Sequence, residues 1–304
     1  MSGTGEAAAR APAAGLEWLK LLACFGIIAF HQHAPGERLG YAGLPVFTMV
    51  TAAMAARSAR GRDWSSYQAG RLRRLLLPWL VWSAFYGLVQ CALANLAGQP
   101  TLSWFHPSML LMGTYPHLWY LPFAAALALL VGRFGHRGRT TLWLTAGALA
   151  IPTCSLAMRA APPLPIPQWL FVLPAALLGV ALGRVPLGEL RQAAPLAPFV
   201  AAAAVGTGIA WASGADSLAL QYAIAVPLTA AAWCVPLRAG AITRRLGATS
   251  FGIYVLHPFA NMLLALLAVS TGLPFSEWSL LASTCALALL LTLVLRLTPL
   301  RAAL

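Results

Sequence analysis

The chain has 304 residues, 60% of them hydrophobic and only 9% charged, with a mean hydropathy of +0.76. Soluble domains carry close to a quarter charged residues, which excludes a soluble enzyme, a disordered chain and a collagen-like one and leaves a polytopic membrane protein. Twenty Lys+Arg against seven Asp+Glu give a net charge of +13; in a soluble protein that excess would point to nucleic acid, whereas in a membrane protein basic residues collect in cytoplasmic loops. Residues 1–15 (MSGTGEAAARAPAAG) are small and polar and are expected to form a disordered cytoplasmic N-terminus. The run 21–30 has the length of a signal-peptide core, but His31-Gln32-His33 stands where small cleavage-site residues would be, so it reads as an uncleaved first span.

A spanning helix needs about 20 mainly apolar residues. Cutting the chain at its charged and Pro/Gly-rich breaks yields ten such segments, 16–34, 40–56, 75–97, 118–132, 140–158, 169–183, 193–212, 218–237, 250–269 and 278–297. With the N-terminus inside, eighteen of the twenty basic residues fall on the inner side and only Arg38 and Arg159 on the outer. That alternation predicts an all-α bundle of about ten spans with both termini cytoplasmic, and it makes nucleic acid an unneeded partner. The long outer loop, 98–117, is rich in Trp, Phe, His and Tyr and suits an element lying in the interface. Five cysteines lie singly in apolar runs without CxxC spacing and read as free thiols, neither a disulfide framework nor a metal site. No repeat and no appended soluble domain is visible, so 16–304 is expected to be a single membrane domain with its chemistry inside the bundle.

Four constellations carry that chemistry. In the first span, Lys20 and His31 are eleven positions apart, three turns plus about 20°, a rise of about 16 Å along one stripe. Glu17 stands three residues before Lys20 and can pair with it, whereas His33 is about 200° from His31 while the helix continues. A snorkelling lysine with a helix-bridging histidine and a functional pair are equal readings of this pattern. Before the third span, RSARGRDWSSYQAGRLRRLLLPW places Arg71 and Arg74 within about 60° of each other; they serve topology, and two guanidiniums there can also hold phosphate. In the ninth span Ser250, Tyr254, His257 and Asn261 share a face, and Pro258 frees the Tyr254 carbonyl; helix-to-helix hydrogen bonding and a polar interior face both account for the stripe. Finally, HLWYLP at 117–122 puts His117 at the mouth of the enclosed cavity, with Trp119 and Tyr120 as interfacial anchors.

Taken in order, these segments resemble the bacterial integral-membrane acyltransferase 3 family. LEWLKLLACFGIIAFHQH is similar to its opening helix, with Lys20 and His31 in an Arg/Lys-x10-His pattern; GLPVFTMVTAAM to its second span; Arg71-Leu-Arg73-Arg74 to its R-x-x-R element; HLWYLP and SFGIYVLHP to its HLWFL-type and SYGIYLLHP segments. Lys20 and Glu17 depart from the commoner Arg and Asp. The resemblance implies that His31 is the catalytic histidine, with Glu17 and His257 beside it in the catalytic set. It implies that Lys20, Arg71 and Arg74 handle the acyl donor or shape the site; His117, Trp119, Tyr254 and Ser250 are further candidate binding residues. It implies transfer of an acyl group, commonly acetyl from acetyl-CoA, onto a hydroxyl of a cell-surface polysaccharide or lipid-linked sugar at the bacterial cytoplasmic (inner) membrane. On this reading acyl-CoA is a donor substrate, no cofactor or metal is permanently bound, and the partners are the glycan acceptor and membrane lipids. His31 would act as general base and His257, Tyr254 or His117 would polarise the thioester carbonyl; an acyl-histidine route is the other option. The alternative class is a proton-coupled secondary transporter, which ten spans with intramembrane His and Lys also fit; a catalytically dead subunit of a glycan-assembly complex is a third.

Overall fold

The computed structural model describes residues 14–60, 62–135, 137–186, 194–234, 240–272 and 274–304. The first thirteen residues of the stretch expected to be disordered, together with His136, Arg191 and Arg238, lie outside them. Among the described residues all ten expected segments are helical and no strand occurs: α1 (Ala14–His31), α2 (Gly43–Ser58), α3 (Trp64–Leu96), α4 (Tyr120–Phe134), α5 (Thr140–Met158), α6 (Ile166–Arg184), α7 (Ala197–Ala212), α8 (Asp216–Cys234), α9 (Ala241–Thr271) and α10 (Glu277–Leu295). Eight helical stretches among these residues are long and apolar enough to cross a membrane; α1, with 18 residues, and α7, with 16, are the other two helices. The protein is an all-α integral membrane bundle, and its five cysteines are free thiols as expected.

Two helices start earlier than the apolar pattern predicts, α3 at Trp64 instead of 75 and α9 at Ala241 instead of 250. Cutting at charges locates the edge of the apolar run, but a helix continues past that edge wherever its backbone donors are satisfied. For α3 the stop is Asp63, whose carboxylate accepts the Ser66 N–H at 3.1 Å as an N-cap. Hydrogen bonds from the Ser65 hydroxyl and the Ser66 N–H hold that carboxyl below the usual carboxylate range. The buried positions of α3, Tyr67, Pro78, Trp82 and Tyr86, then recur at helical spacing, so one stripe faces the bundle along much of its length.

In a membrane little hydrophobic force drives helices together, so small residues that admit close backbone approach select the packing. On α6, Gly179 and Gly183 sit against Met49 and Ala53 of α2, and a Cβ on Gly183 would lie 2.6 Å from the Ala53 carbonyl oxygen. On α1, a Cβ on Gly26 would lie 2.6 Å from the carbonyl oxygen of Gly40. Helix α1 packs against α2, α8 and α9 and leaves one face, with Trp18, Leu22 and Phe25, exposed.

Side chains tie the helix ends into two groups. Arg57 at the end of α2 donates to the carbonyls of Leu182 (3.1 Å) and Val185 (2.7 Å) and lies over the Trp233 ring. Arg184 at the end of α6 donates to Gly135 and Gly138. These arginines satisfy carbonyls that helix C-termini leave unpaired, so part of the basic excess is structural. At the opposite end, Arg159 donates to Ser213 and the Gln221 amide donates to Arg38 O. The loop at 98–116 exposes Leu102, Phe105, Leu110 and Leu111, in keeping with an interfacial element.

Candidate active site

Helices α1 and α9 run parallel, and their contacts climb in register. A Cβ on Gly247 would overlap the Glu17 side chain, the Cys24 thiol donates to Ser250 O at 3.0 Å, and the His31 ring stacks on His257 at 5.4 Å between centroids with 27° between planes. The steps are seven and seven residues on α1, about two turns each, and three and seven on α9, so residues at i, i+7 and i+14 of α1 all meet one face of α9. Near the start of α1, Glu17 Oε2 and Lys20 Nζ form an ion pair at 2.8 Å. Glu17 is buried, and the absence of a Cβ at Gly247 makes the room for it.

Fourteen residues separate Glu17 from His31, about 21 Å of rise. Glu17 therefore acts on Lys20 and does not reach the atoms around the histidine, which separates two members of the expected catalytic set. His31, the last residue of α1, is exposed, while the His257 ring beneath it is 3% exposed. His33 has left the helix with φ at 53° and pairs its Nδ1 with Glu37 at 2.9 Å.

The buried histidines have assigned protons. Pro258 has no N–H for the Tyr254 carbonyl, and His257 Nδ1 takes that oxygen at 2.7 Å. A carbonyl only accepts, so Nδ1 carries the hydrogen and Nε2 is the lone-pair nitrogen of the neutral ring. His117 Nε2 likewise donates to Val255 O at 3.2 Å, and its Nδ1 is buried without a partner. The Tyr254 hydroxyl donates to His117 O. The His117 and His257 rings meet edge to face at 5.5 Å.

This arrangement corrects two expectations. His117 is 4% exposed and lies inside the bundle instead of at a cavity mouth, and Trp119 and Tyr120 are buried instead of serving as interfacial anchors; the 3-10 turn Pro116–Trp119 folds the segment inward, and the Tyr120 hydroxyl donates to Thr51 at 3.1 Å. The donors of His257 Nδ1, His117 Nε2 and Tyr254 are each given to a backbone carbonyl. Ser250 is buried with its hydroxyl on Gly247 O at 2.8 Å. Asn261 Oδ1 accepts from Gln32 Nε2 at 3.1 Å, and the same amide donates to Thr284 at 2.5 Å, while Gln32 Oε1 is buried and unpartnered.

Sequence reasoning missed Gln32, Thr284 and Tyr86. The Tyr86 hydroxyl donates to Val255 O at 2.7 Å and its ring meets His117 edge to face at 5.2 Å. Tyr86 was discoverable as a helical-spaced continuation of Tyr67, Pro78 and Trp82; Gln32 and Thr284 carry no signal of their own.

The cations of the expected phosphate site stand in two settings. Lys20 is held by Glu17 on α1, whereas Arg71 donates to the Ser58 hydroxyl and lies over the Tyr67 ring at 5.3 Å. Arg73 and Arg74 are exposed. Among the described residues no group of three or more His, Cys, Asp or Glu is placed to hold a metal ion.

No curated protein and no solved structure is significantly similar to the chain. The family model of acyltransferase 3, described as an acyltransferase domain, matches residues 13–297. That range takes in α1 to α10 and every residue of the histidine cluster, and the chain belongs to the acyltransferase 3 family of membrane acyltransferases.

Proposed function

We propose that the protein moves an acyl group, acetyl in the simplest case, from cytoplasmic acyl-CoA to a hydroxyl of a cell-surface glycan or its lipid-linked precursor, in the bacterial cytoplasmic membrane. The observation that carries the reading is His31, exposed at the end of α1 and stacked on a buried His257 whose proton is fixed on Nδ1. Family membership supports acyl transfer over proton-coupled transport. The orientation that goes with it has both termini in the cytoplasm, because eighteen of the twenty basic residues then face inward.

In the proposed reaction a neutral His31 removes the proton from the acceptor hydroxyl as that oxygen attacks the thioester carbonyl. The C–S bond breaks, and the departing thiolate takes the proton from the imidazolium, leaving an ester and the free thiol of CoA. The face of His257 lies under His31 and fixes its plane; Glu17 fixes Lys20. Mass spectrometry of surface glycans from a deletion strain, complemented with the wild-type gene or with His31→Ala, tests the proposal. Loss of an acyl mass that only the wild-type gene restores is expected; an unchanged glycan acylation pattern in the deletion strain contradicts it.

A further inference from the structure

At the end of the bundle where α2 stops and α3 begins lies a cavity of about 400 Å³, lined by Arg60, Arg62, Trp64, Tyr67, Gly132 and Arg133 among others. Its volume falls in the range of small-molecule sites, about 300–1,000 Å³, and half of what it needs to hold a nucleotide is electrostatic. Three guanidiniums border it, Arg60 and Arg62 from the connection between α2 and α3 and Arg133 from the end of α4, and among the described residues no carboxylate lies within ion-pair distance of any of them. The nearby acid in sequence, Asp63, is turned to the Ser65 hydroxyl and the Ser66 N–H. Arg60 spends one nitrogen on Gly183 O at 3.1 Å. Structural arginines in this protein, Arg57 and Arg184, each hold two carbonyls; among the described residues Arg62 and Arg133 hold none.

The other half is a flat apolar surface. Trp64 and Tyr67 stack at 5.9 Å with 23° between planes, one turn apart on α3, and Arg71 continues the row over the other ring. An indole backed by a phenol and rimmed by guanidiniums suits a purine carrying several phosphates: the base stacks and the phosphates take charge-assisted, bidentate contacts. Gly132 lets α4 close against the Tyr67 ring and so holds that ring in the cavity wall, since a Cβ there would overlap it. A bilayer headgroup shares the phosphate chemistry but brings no base for Trp64.

We propose that this cavity binds the phosphorylated adenosine end of the acyl-CoA donor, with Arg62 and Arg133 on phosphates and Trp64 against the base. The inference rests on the acyl-CoA reading above and assigns the nucleotide to residues other than Lys20 and the Arg71/Arg74 pair.

The test uses the full chain in nanodiscs of neutral lipid and the variant Arg62→Gln/Arg133→Gln, which leaves the Arg60 hydrogen bond to α6 intact. Titration with adenosine 3′,5′-bisphosphate should show binding to the parent chain and binding at least ten-fold weaker in the variant, while Arg139→Gln, exposed at the same end but outside the cavity, should match the parent. In transfer assays the parent should show a lower KM for acetyl-CoA than for acetyl-pantetheine, which lacks the nucleotide, and in the variant the two KM values should converge. Trp64→Leu should act in the same direction as a second, uncharged probe. Equal bisphosphate affinity in parent and double variant, or a KM ratio that the variant leaves unchanged, overturns the assignment. So does binding of phosphatidylglycerol, added to the nanodiscs in a separate titration, that the variant loses while the parent binds no nucleotide, which would make the cavity a lipid headgroup site. Bisphosphate binding by a parent that transfers from neither thioester would overturn the acyl-CoA reading of the reaction while leaving the nucleotide pocket in place.

Discussion

Replacing His257 by Phe keeps a flat ring under His31 but removes the donor that satisfies the Tyr254 carbonyl. That carbonyl has no other donor at its helical partner position, because the residue four on is Pro258. A buried acceptor left unpaired costs about 1–3 kcal/mol, with no shield from water in a chain of this burial. The same carbonyl can be served another way: Pro258→Ala returns a backbone N–H four residues along, in the position that closes an ordinary α-helical hydrogen bond. His257→Phe should therefore be costly in the natural background and cheap in the Pro258→Ala background, a coupling of about 1–2 kcal/mol between neighbouring positions. Denaturant titration of the four purified proteins in mixed micelles measures it, with stability as the readout because activity should fall wherever the imidazole is lost. Additivity to within about 0.5 kcal/mol would refute the claim that Pro258 exists alongside His257 to fix its proton on Nδ1.

Gly247→Ala should lower stability by about 1–3 kcal/mol, the usual cost of overpacking, because its Cβ overlaps Glu17; Gly208→Ala, which meets nothing within 4 Å, should be neutral or slightly stabilising, and equal effects on melting would sink the packing argument. Arg57→Gln should destabilise by about 1–3 kcal/mol, since it strips the carbonyls of Leu182 and Val185 of a charged donor; denaturant titration showing no loss would return Arg57 to a purely topological role. Reporter fusions at residues 65 and 304 should read cytoplasmic and one at 107 extracytoplasmic, and a periplasmic C-terminus would overturn the proposed orientation.

Composition and charge alternation made the helical segments legible because both follow from the bilayer itself: apolar length sets the spans, and loop charge marks their ends. What they could not mark was a helix that continues past the apolar run, as α3 and α9 do; for α3 the Asp63 cap and not hydropathy sets the boundary. Within the candidate site, single-helix geometry placed His31 with Lys20 and lined up Ser250, Tyr254, His257 and Asn261. It could not say which neighbour each stripe would meet. The burial of His117, its capture of the Val255 carbonyl, the bond from the Tyr254 hydroxyl to His117 O, and the Gln32 contacts with Asn261 and Thr284 all depend on packing between segments more than a hundred residues apart. The basic cluster was legible as a count, but the division of labour within it was not: Arg57 and Arg71 are tied to protein groups, and Arg62 and Arg133 border an open cavity.

The most direct test of the central claim is thiol release from acetyl-CoA by the purified protein supplied with a surface-glycan extract, comparing the parent, His31→Ala and His33→Ala. Removing a general base costs about 10²- to 10⁴-fold in rate, so His31→Ala should lose nearly all glycan-dependent release while His33→Ala, whose ring is exposed and paired with Glu37, stays close to the parent. Equal and modest losses in the two variants, with both proteins folded, would show that His31 does not carry the transfer.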